Sequence, residues 1–232
     1  MNDHVHDLAL LDAATDRLLA SLATLDNAGL AEASRLPGWT RGHVLAHLAR
    51  NADALVNVLE GRPMYVSGDA RDADIERDAP RPLDAHLADL RESHARFTAT
   101  TEPAQDWART VELRNGVKDA AANIPFRRLI EVELHHVDLG VGYELSDLPD
   151  EFTAREISFL ADRWSGRPDV PPVTLRLGHD DPAPTWRTGG SEGTPVTVSG
   201  TGAELLGWLA GRGDKGAHTV VDGGDLPLLP PL

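Results

Sequence analysis

The apolar periodicity of this 232-residue chain changes near residue 150, and that change limits its fold more than any other feature. Before it, apolar residues recur every three or four positions, the spacing of one helix face. Leu8, Leu11, Leu18, Leu22 and Leu25 mark a first helix. Thr40 is placed to cap a second, which runs to about Leu59 and is stopped by Gly61 and Pro63. Pro82 opens a third, with Leu83, Leu87, Leu90 and Phe97 on one face, and a fourth spans Pro125 to Leu139 before Gly140 or Gly142. The acidic segment Asp69 to Asp78 has no apolar period and is expected as a solvated loop near the bundle mouth, with Tyr65 closer to a pocket. Trp107 to Asn123 reads either as a short strand pair or as a loop over that pocket.

Beyond residue 150, Thr153 and Glu156 have the spacing of a capping box for a helix ending at Trp164 and Gly166. Val173 to Leu177 alternates as a half-buried strand, and Thr185 to Thr188 and Pro195 to Ser199 are further strand candidates. Thr201 and Glu204 form a second capping box, ahead of a helix from Ala203 to Ala210 closed by Gly211 and Gly213. The expected architecture is therefore α plus α/β in two domains: a four-helix bundle over residues 1–150 and a small α+β domain over 151–232.

Composition removes several function classes. The chain has no cysteine, which excludes disulfides, thiolate metal ligands and a cysteine nucleophile; any thiol chemistry must use an external thiol. Lys and Arg total 22 against 37 Asp and Glu, a net charge of −15, which argues against nucleic acid and anionic membrane surfaces as partners. The N-terminus lacks the basic start of a signal peptide and no apolar run spans a bilayer, so the expected location is cytoplasmic.

Chemistry concentrates in two helices. The second carries His43, His47 and Asn51 at four-residue steps beside Val44, Leu48 and Leu55, so His47 points inward or toward the bundle mouth. The fourth carries Glu131 and His135 at the same step, with Asp138 about a turn further on. A Glu and a His on one helix facing a His on another supply three ligands and leave a coordination position open, as in a catalytic zinc site, although Fe, Ni or Mn suit the same donors. His43 and His136 compete as ligands, and Glu133 competes with Glu131; neighbours in sequence sit about 100° apart on a helix and cannot share a site. Glu131 could instead pair with Arg127 or Arg128, and His94 extends a core face. His4, His6, His86, His179 and His218 show no pairing.

Gly38 to Ala52, reading GWTRGHVLAHLARNA, and Glu131 to Gly140, reading EVELHHVDLG, resemble the signature segments of the DinB-like, mycothiol-dependent maleylpyruvate isomerase family. Pro63-Met64-Tyr65-Val66-Ser67 and Leu209-Ala210-Gly211-Arg212-Gly213 are similar to its isomerase members, and the likeness covers nearly the whole chain. It implies zinc, one per chain, on His47, Glu131 and His135, with mycothiol as the second cofactor. Arg212 falls on the family's substrate-side arginine and is the expected catalytic clamp for a small anionic substrate, bending over the bundle mouth from the C-terminal domain. Asn51, Tyr65 and Arg212 are the candidates for cofactor contacts. The implied reaction is cis–trans isomerisation of maleylpyruvate to fumarylpyruvate. A mycothiol S-transferase or another metal-dependent enzyme of this fold is the alternative, and a non-catalytic binding protein a more distant one.

Overall fold

The computed structural model describes the chain except residues 1–3, 103–105, 179–182, 215–218, 223 and 231–232; His179 and His218 lie outside the described residues. It divides into two units, Met1–Tyr143 and Glu144–Leu232.

The first unit contains α1 (His4–Leu22), α2 (Asn27–Ala31), α3 (Arg41–Leu59), α4 (Gly68–Asp78), α5 (Leu83–Thr101), the strands β1 (Thr110–Glu112) and β2 (Lys118–Ala120), and α6 (Ile124–Asp138). Helices α1, α3, α5 and α6 form the bundle: α3 packs on α5 and α6, and α1 packs on α6. The leucine stripes form its core, with Leu11, Leu18 and Leu22 of α1, Leu90 and Phe97 of α5, and Leu129 and Val132 of α6 all buried. Each such side chain contributes about 1.5–3 kcal/mol by leaving water. Helix α3 is the central element. Val44, Leu45, Ala46, Leu48, Ala49, Ala52 and Leu55 surround its axis and are buried, so its polar residues His47 and Asn51 are carried inside as well. Gly42 lets the start of α3 approach the turn after α4; a Cβ there would stand 2.2 Å from the Ala79 carbonyl oxygen.

The expectation for residues 69–78 is corrected: they form a helix. Ser67 caps it by accepting the Ala70 amide at 3.0 Å, Asp69 lies in its first turn and Arg77 in its last, and both charges suit the helix dipole. Apolar burial is confined to Ile75 and the following Ala79; otherwise buried Asp78 ties the helix down, ion-paired to Arg50, Arg77 and Arg81. Trp107 to Asn123 resolves into an antiparallel pair, with Val111 opposite Asp119, and the same segment borders a cavity.

The second unit contains α7 (Asp150–Trp164), β3 (Val173–Leu177), β4 (Thr185–Thr188), β5 (Val196–Gly200), α8 (Gly202–Ala210) and β6 (Val220–Asp222). The sheet order is β4-β3-β5-β6, with β3 and β5 parallel and the outer pairs antiparallel. Its core combines Phe152, Ile157, Leu160 and Trp164 with Leu175, Val198, Leu205 and Leu209. The Thr201–Glu204 box forms as expected, and Gly211, at φ 66°, ends α8 in the left-handed region. The Thr153–Glu156 box does not form. Helix α7 begins just after Pro149, with Asp150 and Glu151 in its first turn, which leaves Thr153 and Glu156 buried inside it. Strand β6 has no counterpart in the sequence reading. Among the described residues, no helix is long and apolar enough to cross a membrane.

Candidate metal centre

The start of α3 decides which of its histidines is available. Thr40 accepts the His43 amide at 3.4 Å, and His43 Nδ1 accepts the Thr40 amide at 3.2 Å, a capping box with histidine in the place of glutamate. His43 is thereby held at the helix entrance, its Nε2 3.4 Å from Glu76. His47, one turn further, is 6% exposed and faces α6. There Glu131 Oε2 lies 3.0 Å from His47 Nε2 and 3.2 Å from His135 Nε2. The two imidazoles meet edge to face at 4.7 Å between ring centroids. Ligand atoms of His47, Glu131 and His135 all lie within 4.8 Å of one another. Trp39 closes one side, its ring 5.6 Å from that of His47.

The competing residues are engaged elsewhere. His136 Nε2 lies 2.9 Å from the Ser21 hydroxyl, and its ring stacks on Tyr143 at 4.0 Å. Glu133 accepts hydrogen bonds from Arg17 and Tyr143. Both residues therefore use the α1 side of α6, roughly opposite the α3 side. Arg127 pairs with Asp119 at 2.6 Å, and Arg128 donates to Asn51 at 2.7 Å, so neither takes Glu131. His94 is half-buried against α1, 3.0 Å from Asp12, and does not extend the α5 core. His86 faces the Ala79 carbonyl at 3.3 Å, and His4 stacks on Trp107 at 4.2 Å.

Charge is arranged to suit a cation. Burial lowers the His47 imidazole to about 4, against the pull of Glu131, so at neutral pH it is uncharged and has a lone pair to give. Burial raises Glu131, but hydrogen bonds from His135 and His47 prevail and hold it well below the usual carboxylate range. Burial lowers His135, but its bonds to Asp138 and Glu131 prevail and raise it. Asp138, buried, takes His135 Nδ1 at 2.8 Å and so turns Nε2 toward the other two donors. A carboxylate behind a ligating imidazole is the usual support of a metal site. Two imidazole nitrogens and one carboxylate oxygen converging in this way fit a divalent ion.

The site has a floor and a wall that the sequence reading only partly found. Arg128 and Asn51 lie one turn from Glu131 and His47 on the same stripes, and together form a buried layer beneath them. The Asn51 side-chain oxygen is occupied by this bond. Burial lowers the Arg128 guanidinium to about 10, against the attraction of Glu131. Arg71, from α4, lies 3.3 Å from His47 Nδ1. Its helix was expected as a loop, so its reach was not apparent; Ser67 with Asp69 after it is the signal that would have revealed it. Tyr65 is half-buried within 6.0 Å of the Arg71 guanidinium carbon, and burial, with the Glu131 charge next, raises its hydroxyl above the ordinary value. It also borders a cavity of about 650 Å³ lined by Met64, Ser67, Gly68, Leu113 and Arg114. Arg212 belongs to the second unit, where its guanidinium donates to the Ala210 carbonyl at 3.1 Å, at the end of α8.

Residues 11–140 match the family model of the mycothiol maleylpyruvate isomerase N-terminal domain, and residues 147–231 match the model of the C-terminal domain of the same proteins. Among solved structures, that of the mycothiol-dependent maleylpyruvate isomerase is 28% identical, with a TM-score of 0.84, covering 99% of this chain and 97% of that one. A histidine-to-alanine mutant of the same enzyme gives the same values. No curated protein sequence is significantly similar.

Proposed function

The chain belongs to the mycothiol maleylpyruvate isomerase family, and on that premise we propose that it converts maleylpyruvate to fumarylpyruvate through reversible addition of a mycothiol thiol. The observation that carries this reading is the gathering of His47, Glu131 and His135 within 4.8 Å, with Glu131 held as a carboxylate and His47 uncharged at neutral pH. We assign those three as the ligands of one divalent ion, zinc in preference. Bound there, the ion would supply positive charge that favours thiolate over thiol.

In the reaction, sulfur bonds to one carbon of the cis double bond and the π pair moves onto the conjugated carbonyl as an enolate. The former double bond rotates, the pair returns, the carbon–sulfur bond breaks and the thiol is recovered unchanged. His47 and Glu131 remain as donors, and Asp138 keeps His135 oriented. Tyr65, with its hydroxyl raised and therefore protonated at neutral pH, is suited to donate to the enolate oxygen. Asn51 acts indirectly in this scheme, by fixing Arg128 under Glu131. Arg212 is assigned a substrate carboxylate; its bond to the Ala210 carbonyl is the contact it would exchange for a bidentate one. Residues 1–150 thus carry the metal and 151–232 the additional arginine.

The test is the zinc-reconstituted protein with maleylpyruvate and mycothiol, followed by proton NMR. Conversion to the trans isomer, with thiol consumed in no net amount, supports the reading. A stable thioether without isomer would mark a transferase instead.

A further inference from the structure

The chain carries a charge of −15, yet arginines gather beside the metal triad. Two of them, Arg71 and Arg114, come from different elements and both act on Tyr65: the Arg71 guanidinium carbon lies 6.0 Å from its ring centroid, and Arg114 shares its cavity wall. Arg71 rises from α4 with a side chain only 14% exposed; its one carboxylate partner among the described residues is the adjacent Asp72, at 2.6 Å and 62% exposed. Such an exposed pair contributes little, about 0–1 kcal/mol, and does not account for directing a guanidinium inward. The inner nitrogen meets His47 Nδ1 at 3.3 Å, where it needs an acceptor. An imidazole that gives Nε2 to a cation carries its proton on Nδ1. With the triad loaded, therefore, the inner N–H of Arg71 faces another donor, and a different acceptor must take its place.

Arg114 lies in the turn between β1 and β2, on the wall of the 650 Å³ cavity that Tyr65, Ser67 and Gly68 also line. Its terminal nitrogen is 3.9 Å from where a Cβ would stand on Gly68, so it leans over the N-terminus of α4. Among the described residues, no carboxylate lies within ion-pair distance of it. The next residue, Asn115, holds the left-handed conformation at φ 61°, which side chains other than glycine adopt at a cost and which fixes the turn that presents Arg114.

We infer that Arg71 and Arg114, together with Tyr65, form a carboxylate-binding subsite of the N-terminal unit that orients a small dicarboxylate against the metal triad. A guanidinium receives a carboxylate with two parallel hydrogen bonds, and a local cationic wall supplies the attraction that an acidic protein as a whole denies to a dianion. The inference rests on the isomerase reading for its choice of substrate. It does not depend on Arg212.

Zinc-loaded protein titrated calorimetrically with maleate, a cis-dicarboxylate without a keto group, tests it, with zinc content measured on the same samples. Wild type should bind. Arg71→Gln should weaken binding by roughly tenfold or more, Arg71→Lys should fall between, and Arg114→Gln should weaken it by about threefold, all with zinc retained. In turnover, Arg71→Gln should raise KM for maleylpyruvate far more than it lowers kcat. No maleate binding by wild type, or unchanged affinity in Arg71→Gln and Arg114→Gln, overturns the subsite. So does weaker binding confined to Arg71→Gln and accompanied by zinc loss, which would make Arg71 a support of His47. Arginine-dependent maleate binding without isomerisation of maleylpyruvate would retain the subsite and remove the isomerase reading.

Discussion

Helix α6 presents a glutamate and a histidine to each of two neighbours, and the two faces have opposite chemistry. Toward α1, Glu133 accepts from Arg17 and Tyr143, and His136 meets Ser21 and stacks on Tyr143. A guanidinium and two hydroxyls answer the carboxylate and the ring, so that face is closed by the protein itself. Toward α3, the hydrogen-bond partners of Glu131 among the described residues are imidazole nitrogens, from His47 and His135. Imidazoles can satisfy a carboxylate by holding protons or by sharing a cation with it. The same residue types thus make a structural network where the opposing helix brings strong donors, and a candidate metal centre where it brings lone pairs.

Exchanging the mutations between the faces gives the largest expected difference. His135→Ala removes one of the three proposed ligands; bound zinc, measured by elemental analysis, should fall nearly to background and isomerase activity by at least about 100-fold. His136→Ala should leave zinc and kcat near wild type, and instead lower stability in urea by about 1–3 kcal/mol, since it opens space and strips a partner from Ser21. Zinc loss in His136→Ala with retention in His135→Ala would reverse the assignment of the faces. Arg212→Ala lies outside both. It should lower kcat/KM by roughly 100-fold, or about 2.7 kcal/mol, with zinc and circular dichroism unchanged. Wild-type kinetics would leave Arg212 as a charge at the end of α8, where it already donates to the Ala210 carbonyl.

Asp138→Asn sharpens the comparison by acting one layer back. The amide keeps the volume but not the charge that holds His135 Nδ1, so zinc affinity should drop by about 10–100-fold in a competition titration with a chromophoric chelator. The fold should persist, because the amide keeps the volume of the side chain and the leucine core of the bundle is untouched.

How far these faces can be read from sequence depends on what each residue needs for its meaning. The bundle follows from leucine spacing, and the four-residue steps of His47–Asn51 and Glu131–His135 place each pair on one stripe. Whether 131/135 or 133/136 faces α3 does not follow, because a helical phase has direction only relative to its neighbours. His43 was ambiguous for a similar reason: its role as the reciprocal partner of Thr40 depends on cap geometry that histidine seldom supplies. Helix α4 was missed because it is held by the ion pairs of Asp78 with Arg50, Arg77 and Arg81 more than by an apolar face. With α4 went Arg71, the side chain that reaches His47. Strand β6 has three residues and gains its identity from pairing with β5, a contact between segments distant in sequence.

The smallest expected effect separates the two proposed ligand histidines by pH. Without metal, His135 is raised above its ordinary 6.5 and His47 is lowered to about 4. A cation must displace the His135 proton wherever that proton is bound, so zinc affinity should rise about tenfold per pH unit up to the raised value and then level off. His47 adds a second proton only near pH 4, and Glu131, held well below the usual carboxylate range, adds none between pH 5 and 6. The slope there should therefore be one proton per metal, and a slope of two would mean that burial does not keep His47 uncharged. The stability that metal-free protein gains from His135 is complete below its unfolded value near 6.5, and it is lost as pH rises through the raised folded value. Zinc affinity gains over the same interval. Asp138→Asn removes the carboxylate that raises His135, so both bends should move together to lower pH; movement of only one would uncouple the proton from the metal.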